Sequence, residues 1–328
     1  MHLVEILRYR MVPTSGLFMA LTRRCPLSCA HCSTDSSLAS EQYGDSPFRR
    51  LVDSFTGDCH PDLLYLSGGE ALLRAGLVRD LAVAARAAGT RTAVLSGMYF
   101  ARTGEGLTPA LRRAIQSVDH FAASLDAFHE REVSRTDVFR LLHRIRDLVP
   151  AVSLQLTGLN ARDPYLVELV ADVRREFADQ VPMLIGVVGR TGRARDWLVA
   201  TEHAAPVVDV QPCCMSSWPL VHFDGAVFAC CAQSTVARHR PAHLVLGDAA
   251  VDPWSVLRER ALDRHLLRGV RLFGPLELRR RFGGGDGTDG YCGTCLRLGE
   301  DTALDDEVRR FFDSAEGKAI ETAALQMA

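Results

Sequence analysis

Lysine is almost absent from this chain of 328 residues: Lys318, near the C-terminus, is the single lysine beside 37 arginines. Schiff-base catalysis and phosphate binding by a P-loop each need a lysine within a defined motif. Neither motif surrounds Lys318. Both kinds of chemistry are therefore excluded.

The chain also lacks long apolar runs and a strong charge bias. Charged residues interrupt every apolar stretch, and no apolar signal-peptide core follows Arg8 and Arg10. The formal net charge of −2 gives no electrostatic reason to expect a nucleic acid or a membrane as partner. We therefore predict a cytoplasmic protein. Its ten cysteines are interpreted as metal ligands rather than disulfides.

Three of these cysteines lie within eight residues, in the segment Cys25-Pro-Leu-Ser-Cys29-Ala-His31-Cys32. Three thiolates so close together can bind one metal centre and leave one of its positions open, because no further cysteine follows until Cys59. The spacing resembles that of the radical S-adenosylmethionine (SAM) superfamily.

This resemblance implies both the cofactors and the reaction. In the superfamily the three cysteines hold a [4Fe–4S] cluster whose open iron binds SAM. An external one-electron donor, such as flavodoxin or ferredoxin, drives reductive cleavage of SAM to a 5′-deoxyadenosyl radical. That radical abstracts hydrogen from a C–H bond of the substrate, which we expect to be a small molecule or a peptide.

As far as residue 190, strand-like runs alternate with helix-like runs. The predicted strands are Phe18–Leu21, Leu63–Ser67, Thr92–Ser96, Phe121–Asp126, Val152–Thr157 and Met183–Val188. The predicted helices are Pro47–Phe55, Leu72–Ala88, Pro109–Ser117, Val133–Leu148 and Pro164–Ala178. This α/β alternation favours a parallel sheet. The resemblance implies a partial (β/α)6 TIM-like barrel, with the cysteine loop after its first strand.

The alternation stops near residue 200. We predict the radical SAM barrel over residues 1–200 and a small cysteine-rich α+β domain of the twitch/SPASM type over 201–302. A C-terminal helix is expected over 303–328.

Gly68-Gly69-Glu70 ends the second predicted strand. Two glycines let a backbone approach a ligand closely, and a neighbouring carboxylate can accept hydrogen bonds from an ammonium group. The resemblance implies that this segment binds the amino group of SAM.

The fourth predicted strand ends in Ser124-Leu-Asp126, and Arg135 follows. The resemblance implies that Ser124 and Asp126 face the ribose of SAM and that Arg135 approaches its carboxylate. A helix N-cap is the alternative role for Asp126. Asn160 and the turn 189–193 are further candidates for this pocket.

Six more cysteines lie in the second half of the chain: Cys213, Cys214, Cys230, Cys231, Cys292 and Cys295. The segment 222–230 resembles the G-x4-C element of SPASM and twitch domains. That resemblance implies one auxiliary [4Fe–4S] cluster held by Cys213, Cys230, Cys292 and Cys295, with the neighbouring cysteine of either doublet as an alternative ligand. A zinc site with the same ligands is the competing interpretation.

The fate of the substrate radical separates the functional hypotheses. We favour dehydrogenation of an alcohol in specialised metabolism, with the auxiliary cluster accepting an electron. Cys214 or Cys231 could instead donate hydrogen and give an epimerase. The third hypothesis is maturation of a ribosomal peptide, whose recognition domain would act in trans because only about 17 residues precede the first strand. A non-catalytic iron–sulfur or zinc protein is the alternative from a different class.

Overall fold

The computed structural model describes residues 1–102, 106–198, 212–233, 238–283 and 290–327. Its strands are β1 (Gly16–Ala20), β2 (Leu63–Ser67), β3 (Arg91–Ser96), β4 (His120–Asp126), β5 (Val152–Gly158), β6 (Met183–Val187), β7 (Leu220–Val221), β8 (Ala226–Phe228) and β9 (Val245–Asp248). Its helices are α1 (Leu3–Tyr9), α2 (Ser46–Asp53), α3 (Ala75–Ala87), α4 (Pro109–Ser117), α5 (Arg135–Arg146), α6 (Pro164–Phe177), α7 (Trp254–Asp263), α8 (His265–Phe273), α9 (Pro275–Phe282), α10 (Gly290–Arg297), α11 (Thr302–Asp313) and α12 (Ala315–Met327).

All the strands belong to one sheet, in the order β6-β5-β4-β3-β2-β1-β7-β8-β9. Strands β1 to β6 are parallel to their neighbours, and the predicted partial barrel is confirmed. Strand β7 pairs in parallel with β1, and β8 and β9 continue the sheet in antiparallel fashion. The cysteine loop follows β1 and therefore lies at the carboxyl ends of the parallel strands, where such folds bind ligands.

Local sequence explains these elements. Strand β2 is buried at every position and reads Leu-Leu-Tyr-Leu-Ser without polar alternation, which is typical of a parallel strand inside an α/β fold. Helices α4 and α6 begin at Pro109 and Pro164, with the side chains of Thr108 and Asp163 as their N-caps. Prolines at the first helical position therefore mark both starts.

The second half of the chain extends the barrel sheet. The predicted domain boundary at 200/201 lies outside the described residues. Beyond it, Trp218 packs directly on Gly16 of β1, where any Cβ would lie within 3.0 Å of its indole ring. The expected single C-terminal helix is instead two helices, because the Ser314 hydroxyl accepts a hydrogen bond from Gly317 N–H and starts α12.

Leu304 of α11 is buried against Val270 of α8 and Leu278 of α9, so the C-terminal helices pack onto the preceding ones. Among the described helices, none has both the length and the apolar character that crossing a membrane requires.

Candidate functional site

The loop after β1 carries Cys25, Cys29 and Cys32. Its backbone folds back on itself, because Cys32 N–H donates to the Cys29 carbonyl (3.1 Å) and Cys25 N–H donates to the Ser37 carbonyl (3.2 Å). Cys29 is buried, and the other two thiols are half-buried. The structure thus brings the three predicted ligands of the first metal centre onto one short loop.

The thiols of the cysteine loop are spaced more widely than a single zinc ion requires. Zn–S bonds of about 2.3 Å would hold tetrahedral thiolates about 3.8 Å apart. Across the described residues, which include all ten cysteines, no three thiols lie within 4.8 Å of one another. Thiolates of an iron–sulfur cluster bind different iron atoms and need not lie so close together.

The pKa values of Cys25 and Cys32 in this loop shift in opposite directions. Burial raises the pKa of Cys25 to about 12. Burial also acts to raise the pKa of Cys32, but hydrogen bonds from Ser36 and Thr34 and the charge of Arg193 bring it below its usual value. A cationic metal centre would supply the further stabilisation that ionised thiols need.

The glycine pair holds this loop by close backbone approach. Gly69 N–H donates to the Thr22 carbonyl (2.6 Å). A Cβ at Gly68 would fall within 3.0 Å of Thr22, and one at Gly69 within 3.0 Å of the Arg23 and Arg24 carbonyls. The close approach in the structure is to the backbone at the start of the cysteine loop, and the predicted approach of this pair to SAM stays a prediction.

Glu70 is buried and ties β2 to β3. Its carboxylate accepts hydrogen bonds from Leu72 N–H (3.0 Å), the Ser96 hydroxyl (3.0 Å) and Gly97 N–H (2.9 Å). Burial raises the pKa of Glu70 to about 7. Its predicted contact with the SAM amino group stays a prediction.

Asp126 joins two histidines beside the cysteine loop. Its carboxylate lies 2.7 Å from His129 Nδ1 and 3.2 Å from Nε2 of His31, the residue between Cys29 and Cys32. It also accepts hydrogen bonds from Phe128 N–H (2.9 Å) and His129 N–H (3.0 Å) in the turn after β4, but the helix N-cap alternative is wrong, because Ser134 caps the next helix, α5. Burial acts to lower the pKa of His129, but hydrogen bonds to Asp126 and Cys29 raise it to about 10.

The histidine pair is the part of the site that sequence reasoning missed. The spacing of Asp126 and His129 at the end of β4 was the available signal, but their meeting with His31 depends on the fold. Ser124 lies two residues before Asp126 on β4 and so points to the same face of the strand.

The guanidinium group of Arg135 is occupied by three carboxylates. It begins α5, and its guanidinium pairs with Glu130 (2.9 Å), Glu168 (3.0 Å) and Asp172. Glu168 and Asp172 belong to α6, so Arg135 links two neighbouring helices. The geometry gives no support to its predicted contact with SAM.

The turn after β6 closes onto the cysteine loop, and its predicted part in the SAM pocket stays a prediction. Arg193 donates to the Cys29 carbonyl through Nε (2.9 Å) and to the Ser36 carbonyl (2.7 Å). Gly192 has φ +52°, and a Cβ there would clash with the Cys32 carbonyl. Asn160, the other candidate, accepts a hydrogen bond from Arg162 N–H (2.8 Å) in an exposed turn.

The second cysteine set lies near the start of β1. The Cys213 thiol helps to raise the pKa of Cys292 and Cys295, and Cys213 and Cys295 do the same to Cys230, although burial is the larger cause for each. The four predicted ligands therefore lie in one region of the structure, and their binding of a cluster stays a prediction. Thiols that repel one another's ionisation suit a site that a cationic metal cluster neutralises.

The two candidate hydrogen donors lie in the same region. The Cys231 thiol accepts a hydrogen bond from Arg10 (2.8 Å), which precedes β1, and Cys214 is exposed. The first cysteine set follows the other end of β1, and a strand of five residues spans about 16 Å. Direct hydrogen transfer requires contact with the substrate radical, so the role of Cys214 or Cys231 as hydrogen donor stays a prediction.

No family model matches the chain. PqqA peptide cyclase of Xanthomonas axonopodis pv. citri is 29% identical over 175 residues, covering 50% of this chain and 46% of the relative. The chain thus spans about half the length of the curated relatives that it matches.

Solved structures share the fold. Streptococcus suis SuiB bound to S-adenosylmethionine has a TM-score of 0.57 at 11% identity, over 92% of this chain and 78% of SuiB. SuiB bound to precursor peptide SuiA has a TM-score of 0.50 at 12% identity, over 83% and 70%. Native anSMEcpe with bound AdoMet and Cp18Cys peptide has a TM-score of 0.52 at 11% identity, over 90% and 99%. Cysteine spacing, sequence relatives and fold together support a radical SAM superfamily protein.

Proposed function

We propose that this protein is a radical SAM enzyme that modifies a peptide. The choice of a peptide as substrate rests on the names of its sequence relatives and on the molecules bound in structures of similar fold. The matching curated proteins are named peptide cyclases, and two structures of similar fold hold a peptide. Alcohol dehydrogenation, which the sequence analysis favoured, has no counterpart among these proteins.

Under this proposal, Cys25, Cys29 and Cys32 would hold the SAM-binding [4Fe–4S] cluster. When bound, the cluster would supply the electron for reductive cleavage of SAM. The chain's own residues orient these groups. Arg193 and the glycine pair fix the loop backbone, and the buried Glu70 joins the strand ends beside it.

The second cysteine set fits an oxidative modification. Forming a crosslink between two peptide positions removes two hydrogens. One leaves as a hydrogen atom, and the other leaves as a proton and an electron. An auxiliary [4Fe–4S] cluster on Cys213, Cys230, Cys292 and Cys295 would be an electron acceptor of the kind that this balance needs.

The proposal is tested by mass spectrometry. Anaerobically reconstituted protein is incubated with SAM, dithionite and synthetic peptides encoded by short reading frames next to its gene. We expect one peptide to lose two hydrogen atoms while 5′-deoxyadenosine forms, and no change with the Cys25→Ala variant. Dithionite replaces the external donor, flavodoxin or ferredoxin, which stays a prediction. Oxidation of a sugar alcohol or aminocyclitol, with every peptide unchanged, would return the function to dehydrogenation of an alcohol.

A further inference from the structure

A cavity of about 480 Å³ opens beside the cysteine loop. Residues 33–35 form one wall, the turn after β6 forms another, and the segment after β7 contributes His222 and Phe223. The Thr34 hydroxyl of the first wall lies 3.4 Å from the Cys32 thiol. A molecule in this cavity would therefore lie directly against the loop that carries the first cysteine set.

Arginine dominates the lining of this cavity. Five of its 13 lining residues are arginine, compared with 37 among 328 in the whole chain. The lining has five arginines against two aspartates, and the carboxylates of Glu41 and Asp224 pair with Arg23 and Arg240, so the local excess is one positive charge. The arginines are Arg23, Arg193, Arg195, Arg238 and Arg240.

These arginines divide into two groups. Arg193 is held by backbone carbonyls of the cysteine loop, and Arg23 and Arg240 each pair with a carboxylate of the chain. Arg195 and Arg238 are exposed, and within the described residues neither forms an ion pair. Two guanidinium groups are thus available at the cavity.

We propose that this cavity binds an acidic segment of the peptide substrate through its aspartate and glutamate side chains. Guanidinium groups bind carboxylates in bidentate fashion, and arginine clusters recognise acidic motifs. Arg195 and Arg238 would supply these contacts, while Arg193 keeps the cysteine loop in place. Grouped positive charges repel one another, and an anionic ligand relieves that repulsion.

The position of the cavity would let this contact orient the peptide substrate. Binding at a site next to the reactive centre places a neighbouring part of the same peptide near the bound cofactor, which lowers the entropic cost of the reaction. Positive charge at the entrance also attracts an acidic substrate from solution. The inference rests on the proposed function, because a peptide carries several carboxylates on one backbone.

The test measures binding rather than turnover. Fluorescein-labelled hexaglutamate is titrated with the reconstituted full-length protein and followed by fluorescence anisotropy, beside hexalysine and hexaserine. We expect saturable binding of hexaglutamate alone, weakening as salt is added. The Arg195→Gln/Arg238→Gln variant should bind about tenfold more weakly.

The matched control is the Arg112→Gln/Arg113→Gln variant, which removes two exposed arginines from α4, outside the cavity. It should bind hexaglutamate as the parent protein does. Equal weakening by both double variants would overturn the proposal, because it would show an effect of net charge alone. Complete displacement of hexaglutamate by equimolar inorganic phosphate or free glutamate would also overturn it, in favour of a small-anion site.

SAM cleavage is measured on the same preparations, so that two kinds of failure can be told apart. Normal formation of 5′-deoxyadenosine without hexaglutamate binding contradicts this inference alone. Absence of 5′-deoxyadenosine from the parent protein, with its clusters intact, contradicts the proposed function itself.

Discussion

The two cysteine sets are built in opposite ways. The first lies on a single loop after β1, and glycines 68, 69 and 192 press backbone segments against it. The second draws its thiols from a segment before β7, a segment after β8 and helix α10. The first set depends on local backbone shape, whereas the second exists only once distant parts of the chain have packed. Changes near each set should therefore have separable effects on cluster binding and on catalysis.

The largest expected effect is that of Cys25→Ala. Loss of one of three ligands on the SAM-binding loop should reduce 5′-deoxyadenosine formation to the background level, as measured by liquid chromatography under reducing, anaerobic conditions. The matched control is Cys59→Ala, which removes a half-buried thiol in the turn that pairs Thr56 with Cys59. Cleavage by the Cys25 variant within twofold of the parent would show that the loop does not hold the cluster.

Cys292→Ala should separate the two sets. We expect it to retain SAM cleavage and to lose formation of the modified peptide, because the second set lies near the other end of β1. In the companion variant with Cys25, Cys29 and Cys32 all changed to alanine, about four irons per chain should remain, with the EPR signal of one [4Fe–4S] cluster. Zinc in place of iron would make the second set structural, and undiminished peptide turnover by the Cys292 variant would remove its role in the reaction.

Gly69→Ala should damage the first set through the backbone. The added methyl group would overlap the Arg23 and Arg24 carbonyls, so the loop must shift, at a cost of about 1–3 kcal/mol in unfolding free energy. Iron content of the loop and thermal unfolding would both fall. Gly76→Ala is the control: it is exposed in α3 with open space around it, and it should raise stability by about 0.5–1 kcal/mol. Equal behaviour of the two variants would contradict the close-approach argument.

Arg193→Gln should have a smaller, local effect. It removes the guanidinium contacts to the Cys29 and Ser36 carbonyls, each a charge-assisted hydrogen bond. We expect SAM cleavage to fall about tenfold, since such bonds contribute roughly 1.5–3 kcal/mol. Iron bound by the second set should not change. Arg190→Gln, an exposed neighbour in the same turn, should leave cleavage unaltered.

The smallest expected effect is on the pH dependence of the unfolding free energy, measured on the barrel without its clusters. His120 is buried at the start of β4 between the Met1 carbonyl and the Ser153 hydroxyl, and burial lowers its pKa to about 4. Because the unfolded pKa is about 6.5, the stabilisation is present above pH 6.5 and is lost as the pH falls toward 4. Urea unfolding of cluster-free protein should show about 2 kcal/mol lost through this group at pH 5. His120→Gln should flatten that dependence, and an unchanged slope would contradict it.

Much of the barrel could be predicted because its signals are local. Leu63–Ser67 and Pro109–Ser117 have the bounds that the sequence indicates, since an unbroken apolar run and a proline at the first helical position identify them. The three thiols of the first set share a loop for the same reason. Pairing of β7 with β1 joins residues about 200 positions apart, and no local pattern records it.

Some site residues could likewise be predicted from local signals, whereas the partners of others depend on packing. Gly69 could be identified because close approach needs glycine wherever the partner lies. The partners of Arg135 and His31 could not, because opposite charges are common along the chain and only packing decides which of them meet. The doublet of Cys230 and Cys231 shows the same limit: the spacing of Cys230 matches a family element, but the contact of Cys231 with Arg10 depends on how the C-terminal strands join the sheet.

The pairing of β1 with β7 has a consequence during synthesis. β1 acquires its neighbour β2 by residue 67, yet its other edge stays open until Leu220 and Val221 emerge from the ribosome. At about 5–20 residues per second, that interval of roughly 150 residues lasts about 8–30 s. Throughout it, the nascent barrel presents an unpaired strand edge in the middle of its final sheet, and such an edge is a template for pairing with other chains. Pairing of β7 therefore covers an edge of β1 that would otherwise be open to other chains.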